Sequence, residues 1–142
     1  MVRISKQHYR QMIEQAEKEF PNECCGLLAG ILSEDEIEIK DIYSMRNTDQ
    51  SSQHFTMDPK EQFAAMKKMR AEGYILTGNY HSHPYTPSRP SEEDKRLAFD
   101  AGMIYGIISL MDEEPTLNFF KIIDHKDVVK LDWTFQGRET SD

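Results

Sequence analysis

The chain has 142 residues, with 25 Asp and Glu against 17 Lys and Arg and a net charge of -8. That length suits a single domain, residues 1–142, able to bury about two thirds of the surface its unfolded form exposes, and the acidic balance excludes a surface built to neutralise phosphates, so nucleic acid is not an expected partner. The first twenty residues lack the apolar run of a signal sequence and no apolar stretch nears the roughly 18 residues that span a bilayer, which argues against a membrane and for a cytoplasmic location.

Tyr9, Met12, Ile13, Ala16 and Phe20 recur at helical spacing between Ser5, which suits a cap, and Pro21, predicting an amphipathic helix with its apolar face in the core. Cys24 to Leu32, interrupted by Gly26 and Gly30, reads as a buried strand. The two cysteines, Cys24 and Cys25, are adjacent, point to opposite sides of an extended chain and form no disulfide framework; they read as packing groups in a reducing compartment. Ser33 to Glu36 turns the chain into a second strand, Ile37 to Met45, with Ile37, Ile39 and either Ile42 or Tyr43 inward, so a hairpin is expected. Arg46 to Gln53 is a polar loop, and His54 to Met57 a short strand. Asp58 caps a helix with Pro59 at its first position and Glu61 completing a box; Phe63, Met66 and Met69 form its buried stripe and Gly73 stops it. Tyr74 to His83 reads as a strand and Ser91 to Ala101 as a helix closed by Gly102. Met103 to Leu110, Thr116 to Ile123 and Val128 to Trp133 read as three further strands, and the polar tail, 136–142, is expected to fray.

His81 and His83 are two apart on a predicted strand, so both imidazoles face one way and one metal can reach both, while Ser82 points away. Pro84 ends that strand, Pro87 and Pro90 stiffen the next loop, and Asp94 arrives on the first turn of a helix. Two imidazoles and one carboxylate suit Zn²⁺ and leave a fourth corner for water, the pattern of catalytic rather than structural sites. Glu23 would be the general base, taking a proton during attack and returning it to the departing amine. Ser91 can cap its helix through its oxygen while donating its proton to an oxyanion. Each residue alone has a plainer reading. His-x-His occurs by chance, Ser91 and Asp94 fit a capping box, and Glu23 alone reads as a solvated acid. His8, His54 and His125 have no partner at ligand spacing and read as structural or surface histidines. The joint occurrence points to a metal-dependent peptidase.

Glu23, then His81-Ser82-His83-Pro84, six residues, and Ser91-Glu92-Glu93-Asp94 resemble the signature of the JAMM or MPN+ metalloproteases, with no departure at a functional position. Glu23 to Gly30 is similar to the family's first strand and Phe55 to Pro59 to the entry of its second helix, so the resemblance covers residues 5–133. It implies a mixed α/β fold with a curved sheet flanked by helices and a cytidine-deaminase-like core. It also implies one zinc ion per chain held by His81, His83 and Asp94, Glu23 as base and Ser91 on the oxyanion. The implied reaction is cleavage of a peptide or isopeptide bond after the C-terminal diglycine of a ubiquitin-like protein. The compact size resembles stand-alone prokaryotic members that release an amino acid or peptide from ubiquitin-like sulfur-carrier proteins. An extended substrate tail would add as a strand, with Asn47 to Gln53 and Tyr85 as expected walls. Two rival readings are a catalytically silent binding module of the same fold and a 2-His-1-carboxylate iron enzyme; a zinc deaminase is disfavoured because its His-x-Glu and Pro-Cys-x-x-Cys pattern is absent.

Overall fold

The computed structural model describes residues 1–136. The order of elements is β1 (Val2–Ile4), α1 (Lys6–Glu19), β2 (Cys25–Ser33), β3 (Glu36–Met45), α2 (Pro59–Ala71), β4 (Ile75–His83), α3 (Glu92–Arg96), β5 (Ile104–Ser109), β6 (Thr116–Ile123), β7 (Asp127–Leu131) and β8 (Trp133–Phe135). The strands form one mixed eight-stranded sheet in the order β7-β6-β5-β4-β2-β3-β1-β8. β1 runs parallel to both β3 and β8, and β4 parallel to β5; the other pairs are antiparallel. β7 and β8 are separated in sequence by Asp132 alone yet stand at opposite ends of this order. The sheet must therefore curl until its ends nearly meet, and the Trp133 indole, donating to Leu117 O at 3.0 Å, bridges the join.

Side chains sort to the two faces by the period of two. Leu28, Ile39, Tyr80, Ile104, Ile108 and Phe119 meet Met12 and Ala16 of α1 on one face. Cys25, Leu27 and Ala29 meet Ala65 and Met69 of α2 on the other. The β2–β3 register shifts at Ala29/Gly30, so that Ala29 pairs with Asp41 and Gly30 with Ile39. Lys40 is the extra residue, which lets Ile37, Ile39 and Ile42 all reach the α1 side while Tyr43 reaches the α2 side.

Several expectations are corrected. Val2 and Ile4 are fully buried, so the ordered core starts before Ser5, in a strand too short for any periodicity to reveal. The expected strand Val128 to Trp133 is cut at Asp132 into two that pair at opposite sheet ends. His54 to Met57 forms no ladder; its backbone bonds to the preceding loop instead, as in Thr48 N to Thr56 O at 2.9 Å. In α2 the buried face is Ala65 and Met69, which rotates Phe63 out to 65 % exposure beneath Lys67 Nζ. Glu61 completes no box with Asp58; it accepts from Arg46 N and Nε at 3.1 and 3.2 Å. Phe20 follows the last turn of α1 and is exposed rather than part of the buried stripe. The helix expected over Ser91 to Ala101 ends at Arg96, because its five residues are all charged and bury no side chain that would support more turns. Gln136 is held, its N–H donating to Ile4 O at 2.8 Å; the rest of the expected frayed tail lies outside the described residues.

β4 carries the two histidines and packs tightly on its neighbours. Gly78 pairs with Ile104 of β5, and a Cβ there would overlap the Ile104 carbonyl oxygen and carbon. Backbone cannot rotate away as a side chain can. Gly78→Ala is expected to lower unfolding free energy by about 1–3 kcal/mol or more, read as a shift in the urea midpoint; an unchanged midpoint would contradict this packing.

Candidate metal centre and active site

The pairing of β2 with β4 sets Cys25 opposite His81 and Gly26 opposite Tyr80. It continues past the end of β2, where Ser82 N donates to Cys24 O at 3.1 Å and Cys24 N donates to Ser82 Oγ at 2.7 Å. One step further, the same register sets Glu23 across from His83. Cross-strand partners share a face, so Glu23, His81 and His83 project together, and they are 4, 2 and 4 % exposed. Ser82 points the other way and bonds the Cys24 amide. Gln15 fastens this corner to α1: it accepts from Tyr80 Oη at 2.5 Å and donates to Cys25 O at 2.9 Å.

Asp94 reaches the histidines from α3. Its Oδ2 lies 3.1 Å from Nε2 of both His81 and His83, and those two nitrogens are 3.1 Å apart. The Ser91 N–H donates to the same Oδ2 at 2.9 Å while Ser91 Oγ accepts from Asp94 N at 3.0 Å, a reciprocal capping box. Capping therefore aims the carboxylate. The Pro87 carbonyl, 2.9 Å from His83 Nδ1, accepts the proton of that ring nitrogen and so turns Nε2 toward Asp94. The His81 ring is steered by packing instead, against Phe55 at 4.8 Å between centroids and 30° between planes; its Nδ1 is buried and has no hydrogen-bond partner among the described residues.

Three donor atoms on a triangle of 3.1 Å edges fit one small cation, since donors about 2.0–2.1 Å from a tetrahedral centre stand about 3.3–3.4 Å apart. The cluster His81, His83 and Asp94 is thus compatible with a metal site, and its two nitrogens and one oxygen suit Zn²⁺.

The charges respond to this crowding. Burial pushes the Glu23 carboxyl up to about 8; nearby His83 opposes the rise, and Asp94 and Glu93 add to it. For Asp94 burial acts upward too, but His81, the His83 hydrogen bond and the Ser91 N–H outweigh it and hold the group well below the usual carboxylate range. His83 is lowered by burial, yet its bonds to Asp94 and the Pro87 carbonyl leave it above its ordinary value. A cation among the three donors would pull the neighbouring Glu23 back down.

Beside the cluster, on the same sheet face, lies a cavity of about 440 Å³ whose walls include His81 and Asp94 with Phe55, Met57, Leu97 and Ile107. Its walls include neither Asn47 to Gln53 nor Tyr85, the residues expected to flank a substrate tail. Asn47 turns inward and is buried, whereas Tyr85 is exposed and packs edge-on against Phe20 at 5.3 Å. His54 does line the cavity, held by Asp49 Oδ2 at 3.0 Å; His8 faces Asp41 at 3.5 Å and His125 lies 3.2 Å from Lys95 O. Cys24 and Cys25 are buried, and burial pushes both thiols up to about 12, which suits packing groups. The contacts that Gln15, Asn47 and Phe55 make here were not legible in the sequence: a polar side chain on a helix or in a loop carries no periodic signal of what it holds, and Phe55 lies in a segment too short to show one.

Residues 5–123 match the prokaryotic homologs of the JAB domain. The chain belongs to that family. It is 30 % identical over 114 residues to a CysO-cysteine peptidase of Mycobacterium tuberculosis, covering 80 % of this chain and 77 % of the relative. To a desampylase of Pyrococcus furiosus it is 32 % identical over 91 residues, 64 % of this chain and 62 % of the relative. A solution structure of a Desulfitobacterium hafniense protein superimposes with a TM-score of 0.87 at 42 % identity, over 96 % of this chain and 93 % of that one. A JAB1/MPN domain protein from Archaeoglobus fulgidus shares the fold, with a TM-score of 0.59 at 23 % identity over 94 % and 97 % of the two chains. In this JAB-family domain no helix among the described residues is long and apolar enough to cross a membrane.

The raised Glu23 pKa has a stability consequence for the metal-free protein. An acid whose folded value exceeds its unfolded one contributes stability below the unfolded value, and that contribution is lost as pH rises through the folded value, here about 8. With chelator present, Glu23→Gln should therefore gain on the wild type in melting temperature as pH is raised from 5 toward 8. A difference that stays constant across that range would show that Glu23 titrates normally.

Proposed function

We propose that this chain is a zinc-dependent peptidase that hydrolyses the peptide or isopeptide bond following the C-terminal diglycine of a ubiquitin-like, sulfur-carrier type of protein. The observation that carries the reading is a buried acid, Glu23, set by strand register across from a convergent His81, His83 and Asp94 cluster. Relatives named for CysO-cysteine peptidase and desampylase activity support the substrate class.

His81, His83 and Asp94 would hold the ion. Zinc bound there supplies Lewis acidity, which lowers the pKa of water toward about 7 and polarises the scissile carbonyl. Glu23 takes the proton from the attacking water and hands it to the leaving amine, so that the tetrahedral intermediate breaks its C–N bond rather than expelling the water again. For that it must be ionised at the start; burial opposes this, and the charge of the ion favours it. Ser91 accepts from the Asp94 amide through Oγ, so its own proton remains to be donated to the oxyanion of the tetrahedral intermediate.

Mass spectrometry of zinc-loaded protein incubated with ubiquitin-like carriers bearing C-terminal extensions should show cleavage after the diglycine. Glu23→Gln should bind zinc with unchanged stoichiometry and lose about 10²- to 10⁴-fold in turnover; a fully active variant would remove Glu23 from the mechanism. Alanine at His81, His83 or Asp94 should abolish zinc binding by calorimetry.

Ser91→Ala tests the double role. It should lower stability by about 0.5–2 kcal/mol through the lost cap and kcat by about 10²- to 10³-fold through the lost oxyanion donor. Loss of stability with full kcat would leave Ser91 a cap only.

A further inference from the structure

The β2–β3 register that pairs Cys25 with Met45, continued two residues, sets Asn47 opposite Glu23. β3 has ended by then, and the Asn47 side chain takes over what its backbone would have supplied. Its Nδ2 donates to Glu23 O at 3.1 Å and to His54 O at 3.0 Å, with a longer contact to Ser51 O at 3.5 Å. Its Oδ1 accepts from Asp49 N at 3.0 Å and Thr56 N at 3.2 Å. The group is buried and both ends of the amide are fully used.

Two parts of the site hang on this one amide. The Glu23 peptide is held at both ends, its N–H donating to Ser51 O at 2.8 Å and its carbonyl accepting from Asn47. Phe55 is held on both sides, through the His54 carbonyl and the Thr56 amide, and its ring is the one that packs on His81. We infer that Asn47 is the positioning residue that keeps Glu23 and the Phe55 ring in register with the His81 and His83 imidazoles. It touches no reacting atom. A side chain that only accepts cannot replace it, because three of its partners are carbonyls.

The catalytic consequence rests on the peptidase reading; the placement of Glu23 does not, and the two can be measured separately. Asn47→Asp retains an acceptor for Asp49 N and Thr56 N but loses the donors to Glu23 O and His54 O, and Asn47→Ser is a smaller polar change that buries no charge. Amide hydrogen exchange by NMR on the full chain, with chelator, should show the Glu23 amide exchanging at least about tenfold faster in both variants, while Leu28 in the middle of β2 keeps its protection. With zinc and a cleavable carrier, kcat per zinc-loaded chain should fall at least about tenfold with KM within about twofold of wild type, since misplacing a catalytic group by a fraction of an ångström acts on the chemical step. A merely structural role would lower the melting temperature and leave kcat per loaded chain unchanged. Wild-type protection of the Glu23 amide in both variants overturns the inference, as does unchanged kcat in an active enzyme. If the wild type cleaves no carrier while the Glu23 amide is released as expected, the peptidase reading fails and the positioning role stands.

Discussion

Because Cys25 faces His81 across an antiparallel ladder, a slip of one residue between β2 and β4 would turn both imidazoles to the α1 side and leave Glu23 facing the wrong layer. Several local fits make that slip expensive. The Cys24 and Ser82 pair exchanges two hydrogen bonds, one to a backbone amide that would otherwise be buried without an acceptor. Gly26 leaves room for the Tyr80 ring, whose hydroxyl is then taken by Gln15. Gly78 admits the Ile104 carbonyl on the opposite edge of β4. The residues that fix the register are thus different from those that would do chemistry, and they occupy the other face of the same two strands or their backbone.

Register alone does not decide which buried acid keeps its charge. Glu23 and Asp94 are both withdrawn from water beside the same two imidazoles, yet their environments drive them apart. Asp94 is surrounded by donors, the two Nε2 atoms and the Ser91 amide, all bonded to one oxygen. Glu23 meets burial and the charge of Asp94 itself. Two carboxyl groups pushed in opposite directions by their surroundings are how one site can hold a permanent anion and a group that exchanges protons. Asp94 suits the first task and Glu23 the second.

What could be read from sequence follows the range over which each signal acts. The histidine pair on a strand, the Ser91 and Asp94 box, the α1 stripe at Met12 and Ala16 and the β2–β3 hairpin all depend on neighbours within a few residues, and they stand as expected. Features that depend on distant partners were hidden. β1 and β8 are three residues each and are held by distant partners, β1 by β3 and β8, and β8 by β1. Asp132 divides an apparently continuous strand because sheet closure sends its halves to opposite ends. Phe63 lost the inward face of α2 to Ala65 because the small residue allows close approach of helix and sheet, and the aromatic ring found Lys67 outside. Asn47 looked like any polar loop residue, since its role depends on where two backbone carbonyls end up in space.

The candidate ligands also differ in how firmly the fold holds them. His81 and His83 sit in a central strand, paired on both sides. Asp94 sits on a helix of five charged residues that buries no side chain, so polar bonds rather than packing keep it in place. A site with two rigid legs and one soft one has a thermodynamic consequence. An ion bridging His83 and Asp94, eleven residues apart, closes a short loop stiffened by three prolines, and most of the order it adds falls on α3 and the Ser91 hydroxyl rather than on the strands. Ser91 and Asp94, joined by their capping box, would then become ordered together. Glu23, fastened independently by Ser51 and Asn47, is in position beforehand.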